Sequence, residues 1–259
     1  MASLHQVRAY FTHWLNRVDE HSIHSPYFFD FYNKVIKANG YPDCAPAIEN
    51  IRTKLLHNPT ELSIEDLGSG RERNGKRKLQ DIVTTSVSPP EYAQLMFRIC
   101  QYAEARKILE LGTSVGLTSL YLSYVDGASV YTFEGSHSLA NVALTNIEFL
   151  ERSNVEVLEG DIADSLSEFL QRDTAKIGFV YLDANHRFEP TLRYYDLLMK
   201  RFNEKTIMVI DDIHNTPEME RAWKTLHKHE LVYGSVDLFR CGILFFDPAL
   251  NKQHFVWSL

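Results

Sequence analysis

A chain of 259 residues with 44% hydrophobic and 24% charged residues carries enough apolar material to bury a core, so one principal domain with an appendage is the expected organisation. The excess of 34 acidic over 27 basic side chains gives a formal charge of -7, which removes any general attraction to nucleic acid or an anionic membrane and favours a small-molecule partner. Met1-Ala2-Ser3-Leu4-His5 lacks the basic start and apolar run of a signal peptide, and no later stretch approaches the ~18 apolar residues of a membrane span, so a cytoplasmic setting is expected.

Leu4, Val7, Phe11, Trp14, Leu15 and Val18 recur at helical spacing and predict an amphipathic helix that packs on a partner. The aromatic segment 21–32 and the Pro- and Asn-containing region through Pro59 read as turns and short helices. Residues 63–78 are charged and Gly-rich, with too few apolar positions for a packed element, and read as a loop whose basic cluster is Arg71, Arg73, Lys76, Arg77 and Lys78. Residues 1–80 are thus the helical and irregular appendage, which either roofs an active site or makes a homodimer contact, and 81–259 the main domain. After Ser88-Pro89-Pro90 a helix begins, with Tyr92, Leu95, Met96 and Ile99 on one face. From Lys107 onward apolar runs at 108–111, 129–133, 155–158, 177–182 and 207–210 alternate with helical patterns, the mark of a doubly wound, mostly parallel sheet. The runs 231–238, 241–246 and 253–257 follow without room for crossover helices and are expected to be antiparallel at the edge. The expected fold is a Rossmann-like α/β sheet of seven strands. Cys44, Cys100 and Cys241 are too far apart and too irregular for a disulfide framework or a zinc site, and read as buried thiols.

Ligands of such sheets bind beyond the carboxyl ends of the strands. The first tip, Glu110-Leu111-Gly112-Thr113-Ser114-Val115-Gly116-Leu117-Thr118, has G-x-x-x-G spacing rather than the G-x-G-x-x-G that a pyrophosphate requires. It suits a nucleoside without a pyrophosphate, such as S-adenosylmethionine, or a plain strand-to-helix turn. Glu134 ends the next strand where an acid meets ribose hydroxyls, and is equally readable as a surface carboxylate. Gly160-Asp161-Ile162 either borders an adenine or places Asp161 as a helix N-cap. Asp183-Ala184-Asn185-His186 and Asp211-Asp212-Ile213-His214 close the last two strands of the alternating run. On neighbouring strands ~4.8 Å apart their three carboxylates would repel each other, which a hard divalent ion, Mg²⁺ rather than zinc, would relieve. The competing reading makes these acids caps of the helices that follow.

At these residues the sequence resembles the metal-dependent class I O-methyltransferases that include catechol and caffeoyl-coenzyme A O-methyltransferases. The resemblance runs over roughly 85–247 and is strongest in 108–118, 180–186 and 208–213. It implies that Glu110, Gly112, Thr113, Ser114, Gly116 and Thr118 surround the methionine part of S-adenosylmethionine. By the same resemblance Glu134, Gly135 and Ser136 meet its ribose, and Gly160, Asp161 and Ile162 border its adenine. Ser86 and Ser88 would close over the cofactor, Asp183, Asp211 and Asp212 would bind Mg²⁺, and Asp183 and His186 would be catalytic. Two departures stand out: the family commonly has Asn where this chain has Asp212, and Lys where it has His186. An imidazole titrates near neutral pH and can take a hydroxyl proton directly, so His186 reads as the base, as the mark of a different substrate, or as an exposed histidine without a role. The expected activity is metal-assisted O-methylation of a hydroxylated small molecule. Its rivals are a metal-independent N- or O-methyltransferase and an inactive cofactor-binding protein whose N-terminus binds a partner.

Overall fold

In the computed structural model, residues 3–38, 40–64 and 75–259 are described. They fall into two compact units, one drawn from Met1–Ala38 with Lys176–Leu259 and the other from Asn39–Ala175.

The first unit opens with α1, Leu4–Asn16, started by a capping box in which Ser3 Oγ accepts the Gln6 amide and Gln6 Oε1 accepts the Ser3 amide. The helix is where the spacing predicted it, but its apolar stripe is not what packs. Leu4 is 87% and Leu15 72% exposed, whereas only Ala9 and His13 are buried. Next, α2, Pro26–Phe31, has proline in its first turn and drives Phe28 and Phe31 fully inside.

In the second unit, α3, Ala45–Leu56, is a regular 12-residue helix where turns and short helices were expected; Ile48, Ile51 and Leu55 recur at helical spacing and are buried. β1, Glu61–Ile64, and β2, Gly75–Lys78, pair antiparallel, so the flanks of the expected loop are strands. Backbone hydrogen bonds and the buried Ile64 hold this pair, which is why its charged side chains gave no strand signal. Lys76, Arg77 and Lys78 lie on β2, while Arg71 and Arg73 lie outside the described residues. Helices α4, Leu79–Ser86, and α5, Pro90–Tyr102, follow, and Leu95, Met96 and Ile99 form the buried face of α5 as predicted. The rest alternates as expected: β3, Lys107–Leu111; α6, Leu117–Ser123; β4, Ser129–Glu134; α7, His137–Phe149; β5, Val155–Glu159; α8, Ile162–Arg172. β3, β4 and β5 are parallel neighbours, with Glu110 opposite Thr132 and Glu134 opposite Glu159. Ile48, Ile51, Leu79, Ile82, Val115, Leu120 and Ala143 belong to the core of this unit.

The chain then returns to the first unit with β6, Phe179–Leu182; α9, Phe188–Leu198; β7, Ile207–Ile210; α10, Pro217–Leu226; β8, Gly234–Asp237; β9, Gly242–Phe245; and β10, Gln253–Val256. β6 and β7 are parallel and buried at every position, as their continuous apolar runs demand. β9 is antiparallel to both β7 and β8. β10 departs from the expected antiparallel edge, because it pairs parallel with β8. Both edges of β9 are already taken, so the strand after it reaches the free edge of β8 and there runs in the direction of β8. The strands beyond the β1–β2 pair number eight among the described residues, one for each apolar run of the sequence, against the seven of the expected fold. Phe28 sits edge-on to Phe245 at 5.2 Å and lies 4.9 Å from Phe255, which fastens α2 to β9 and β10. Among the described residues no helix is long and apolar enough to cross a membrane. The three cysteines are free and buried, as expected.

A candidate cofactor cradle and a cluster of acids

The Asn39–Ala175 unit gathers the first group of expected residues. Between β3 and α6 the backbone takes left-handed values at Gly112 (φ 106°), Ser114 (φ 50°) and Gly116 (φ 80°), which folds the chain into a tight turn. A Cβ on Gly116 would lie 3.0 Å from the Ala143 Cβ. Gly116→Ala is therefore expected to destabilise by about 2 kcal/mol, from overpacking plus left-handed strain, and a melting curve should shift down by roughly 4–8 °C.

Glu134 is 8% exposed, not a surface carboxylate. Its Oε2 accepts the Ser114 amide at 2.7 Å and its Oε1 the Ser136 amide at 2.9 Å, which ties the tip of β4 to the turn after β3. Gly135 is partly exposed beside it, and the buried Ser136 hydroxyl has no hydrogen-bond partner among the described residues. A buried hydroxyl without a partner costs free energy unless a ligand meets it, so this tip has the donor and acceptor set that a ribose would satisfy. Gly160 (φ 125°) closes the next strand, with open space where its Cβ would be. Asp161 caps α8 by accepting the Ala163 amide at 2.8 Å, and Ile162 opens that helix half-buried. Glu110 is buried and accepts from Ser119 and, at 2.7 Å, from Thr132. Thr113 is buried against Thr132 Oγ1 at 2.6 Å, and Thr118 is buried in the first turn of α6. Ser86 is exposed at the end of α4; Ser88 is buried, its carbonyl accepting from Arg52 Nη1 at 3.0 Å. The cradle thus fits an adenosine-bearing cofactor without a pyrophosphate.

The second group lies in the other unit. Leu182 pairs with Ile210 in the β6–β7 register, so Asp183 and Asp211 leave adjoining strand tips together. Neither they nor Asp212 cap a helix: α9 has no side-chain cap, and Thr216 caps α10 by accepting the Met219 amide at 3.2 Å. Thr216→Ala should accordingly cost about 1 kcal/mol in a denaturant titration, with no such helix-capping loss for Asp212→Asn. Asn185 (φ 66°), His186 (φ 35°) and Asp212 (φ 55°) all hold left-handed conformations, a concentration of strain that marks functional sites. His186 Nε2 stands 3.4 Å from Asp183 Oδ1 and its Nδ1 3.9 Å from Asp212 Oδ2. Burial alone would lower the imidazole pKa, but the hydrogen bond and charge of Asp183, with Asp212 and Asp211 behind, push it up to about 9. Burial likewise raises the Asp183 carboxyl, yet His186, Arg240 and the Tyr181 hydroxyl outweigh it and hold it below the usual range. Asp211, 1% exposed, is pushed up to about 7 by burial and by Asp183, against the pull of Arg240.

Arg240 was not anticipated. It stands in the hairpin between β8 and β9, after Phe239 in a left-handed conformation (φ 67°). Its Nη2 donates to Asp211 Oδ2 at 2.9 Å, and its Nε lies 3.2 and 3.3 Å from the two oxygens. Each acid therefore has a protein donor: Arg240 on Asp211, Tyr181 and His186 on Asp183, and the Asn215 amide on Asp212 at 3.0 Å. A divalent ion on Asp211 within about 4 Å of the guanidinium would meet repulsion on the order of 8 kcal/mol at an effective dielectric of ~20. Among the described residues no three His, Cys, Asp or Glu groups form a metal-binding set. The expected Mg²⁺ site at Asp183, Asp211 and Asp212 does not fit these residues, because Arg240 already holds Asp211 and would repel a divalent ion placed there. Beside Arg240 opens a hollow of about 490 Å³, lined by Val7 and Tyr10 of α1 with Asp212, His214, Asn215 and Phe239. The α1 residues carried no such signal in sequence beyond an aromatic stripe.

Residues 109–213 match the family model described as a methyltransferase domain. O-methyltransferase imqG of Aspergillus flavus is 26% identical over 173 residues, 64% of this chain and 68% of that protein. Catechol O-methyltransferase of Niastella koreensis is 26% identical over 133 residues, 49% of this chain and 58% of that protein. Among solved structures, the O-methyltransferase from Bacillus cereus in complex with SAH superposes with a TM-score of 0.58 at 17% identity, covering 83% of this chain and 95% of that one. At that identity the likeness establishes the fold, a Rossmann-like α/β architecture.

Proposed function

We propose that this chain, whose residues 109–213 match the methyltransferase-domain model, transfers a methyl group from S-adenosylmethionine to a hydroxyl oxygen of a small molecule. The observation that carries this reading is Glu134, whose carboxylate joins the turn after β3 to the tip of β4 beside a buried, unpartnered Ser136 hydroxyl. The names of the relatives support oxygen as the acceptor atom.

Gly112, Thr113, Ser114, Gly116 and Thr118 would surround the methionine part, Glu134, Gly135 and Ser136 the ribose, and Gly160, Asp161 and Ile162 the adenine. The bound cofactor supplies an activated methyl group on a sulfonium. The hollow beside Arg240 is of a size for a drug-like acceptor, and Tyr10 and Phe239 give it aromatic walls suited to a phenol or catechol. In its neutral form His186, positioned by Asp183, would take the hydroxyl proton as the oxygen–methyl bond forms and the sulfur–methyl bond breaks. Orientation would supply much of the acceleration. A cytoplasmic setting belongs to the same proposal and is compatible with three buried free thiols.

Calorimetric titration with S-adenosylhomocysteine, followed by transfer of labelled methyl groups to a phenol and catechol panel, tests this. One-to-one binding with label in a phenolic product is expected. No binding would end the reading. The exposed Leu4, Phe11, Trp14 and Leu15 on α1 favour a second reading, cofactor binding without turnover and with a docking helix. Tight cofactor binding with no labelled product across the panel would favour it.

A further inference from the structure

We propose that Arg240 occupies the place of a divalent cation on Asp211, so that the acids of β6 and β7 work with a fixed guanidinium and without a metal. Asp211 is a buried carboxylate, and a buried charge persists only when it is paired and hydrogen-bonded. Arg240 meets that need with a two-pronged contact to both carboxylate oxygens, the geometry for which a planar guanidinium is suited and a lysine is not.

The placement of the arginine is built in. Phe239 turns left-handed in the short hairpin, Leu238 donates its amide to the Cys241 carbonyl at 2.9 Å, and the Arg240 carbonyl accepts the Ile213 amide at 3.1 Å. The same residue therefore anchors the backbone after Asp211 and Asp212 while its side chain neutralises Asp211. Arg240 is 28% exposed at the side chain and lines the 490 Å³ hollow with Tyr10 and Phe239. With no metal to chelate, a pair of vicinal hydroxyls is not required of the acceptor: a single phenolic hydroxyl beside Tyr10 and Phe239 suffices.

This inference deepens the proposed methyl transfer, and its test reads metal binding directly, so the outcome is decisive even for a chain that transfers no methyl group. The full chain, saturated with S-adenosylhomocysteine, is titrated with Mn²⁺ by calorimetry and by the loss of the free-ion paramagnetic resonance signal. The wild type is expected to take up no Mn²⁺ at millimolar concentration, and Arg240→Ala to gain one site in that range. Unchanged S-adenosylhomocysteine affinity and a cooperative melt certify the variant's fold. Should Arg240→Ala fail to fold, Arg240→Gln, which keeps one amide donor, takes its place with the same expected gain. Micromolar Mn²⁺ binding by the wild type overturns the proposal, and so does a folded variant that gains no site. In the active enzyme, turnover of a monohydroxylated phenol is expected to survive exhaustive chelation; loss on chelation with recovery on adding Mg²⁺ contradicts it.

Discussion

Glu134→Ala is expected to weaken S-adenosylhomocysteine binding by roughly 100-fold, about 2.7 kcal/mol, read by calorimetric titration. Two contributions add. The carboxylate is lost as an acceptor for the ribose hydroxyls, a charge-assisted contact worth about 1.5–3 kcal/mol. The Ser114 and Ser136 amides, which it now holds at 2.7 and 2.9 Å, lose their acceptor, so the turn after β3 must be ordered anew each time ligand binds. Glu134→Gln separates the two. Its carbonyl oxygen can still accept one amide but has no charge, and it is expected to fall between wild type and alanine. Were both variants to bind as tightly as wild type, Glu134 would be a loop organiser and nothing more, and the cofactor cradle would have to be sought elsewhere.

What the sequence made legible here is the part governed by periodicity and by strand tips. The apolar runs of β6 and β7 gave their burial, whereas the meeting of Asp183 and Asp211, expected only on condition that these strands are neighbours, follows from the observed pairing. The glycine spacing from Gly112 to Gly116 announced a turn that needs left-handed backbone, which the structure shows. The partner of the acids was not legible. Arg240 reaches Asp211 from 29 residues away, through a hairpin whose reach depends on one left-handed phenylalanine, and no local pattern encodes that distance. Three neighbouring carboxylates in a sequence look like a metal site because the countercharge, when it is an arginine from another strand, leaves no spacing to recognise. The α1 stripe misled in a different way. Helical periodicity of apolar residues defines a face, but not whether the rest of the chain covers it, and here Ala9 and His13 are the covered positions. The β10 pairing was missed because direction follows from which edge is free, a property of the assembled sheet.

Stability should fall between pH 6.5 and 9.5 by roughly 2 kcal/mol more in the wild type than in His186→Asn, measured by denaturant titration at each pH. His186 has a folded-state pKa of about 9, above its unfolded value of 6.5. A raised histidine binds its proton more tightly when folded, so its stabilisation is complete below about 6.5 and is lost as pH rises through about 9. The full shift corresponds to about 3 kcal/mol, and the 30% exposure of the side chain lets solvent screen part of it. Asp211 titrates in both proteins and largely cancels in the comparison. An identical pH dependence of the two would mean that His186 is not held in its charged form by Asp183 and Asp212. The same titration decides what the imidazole does for the acceptor. At pH 7 a group with a pKa of about 9 is neutral in roughly one molecule in a hundred, so a base of this kind gives a methyl-transfer rate that climbs tenfold per pH unit and levels off above 9. An imidazolium that serves by its charge gives the opposite trend, a rate that is flat at neutral pH and declines through 9. Because the neutral form is scarce and the acids hold the proton in place, the climbing profile is the one expected of direct proton removal, and it should disappear in His186→Asn.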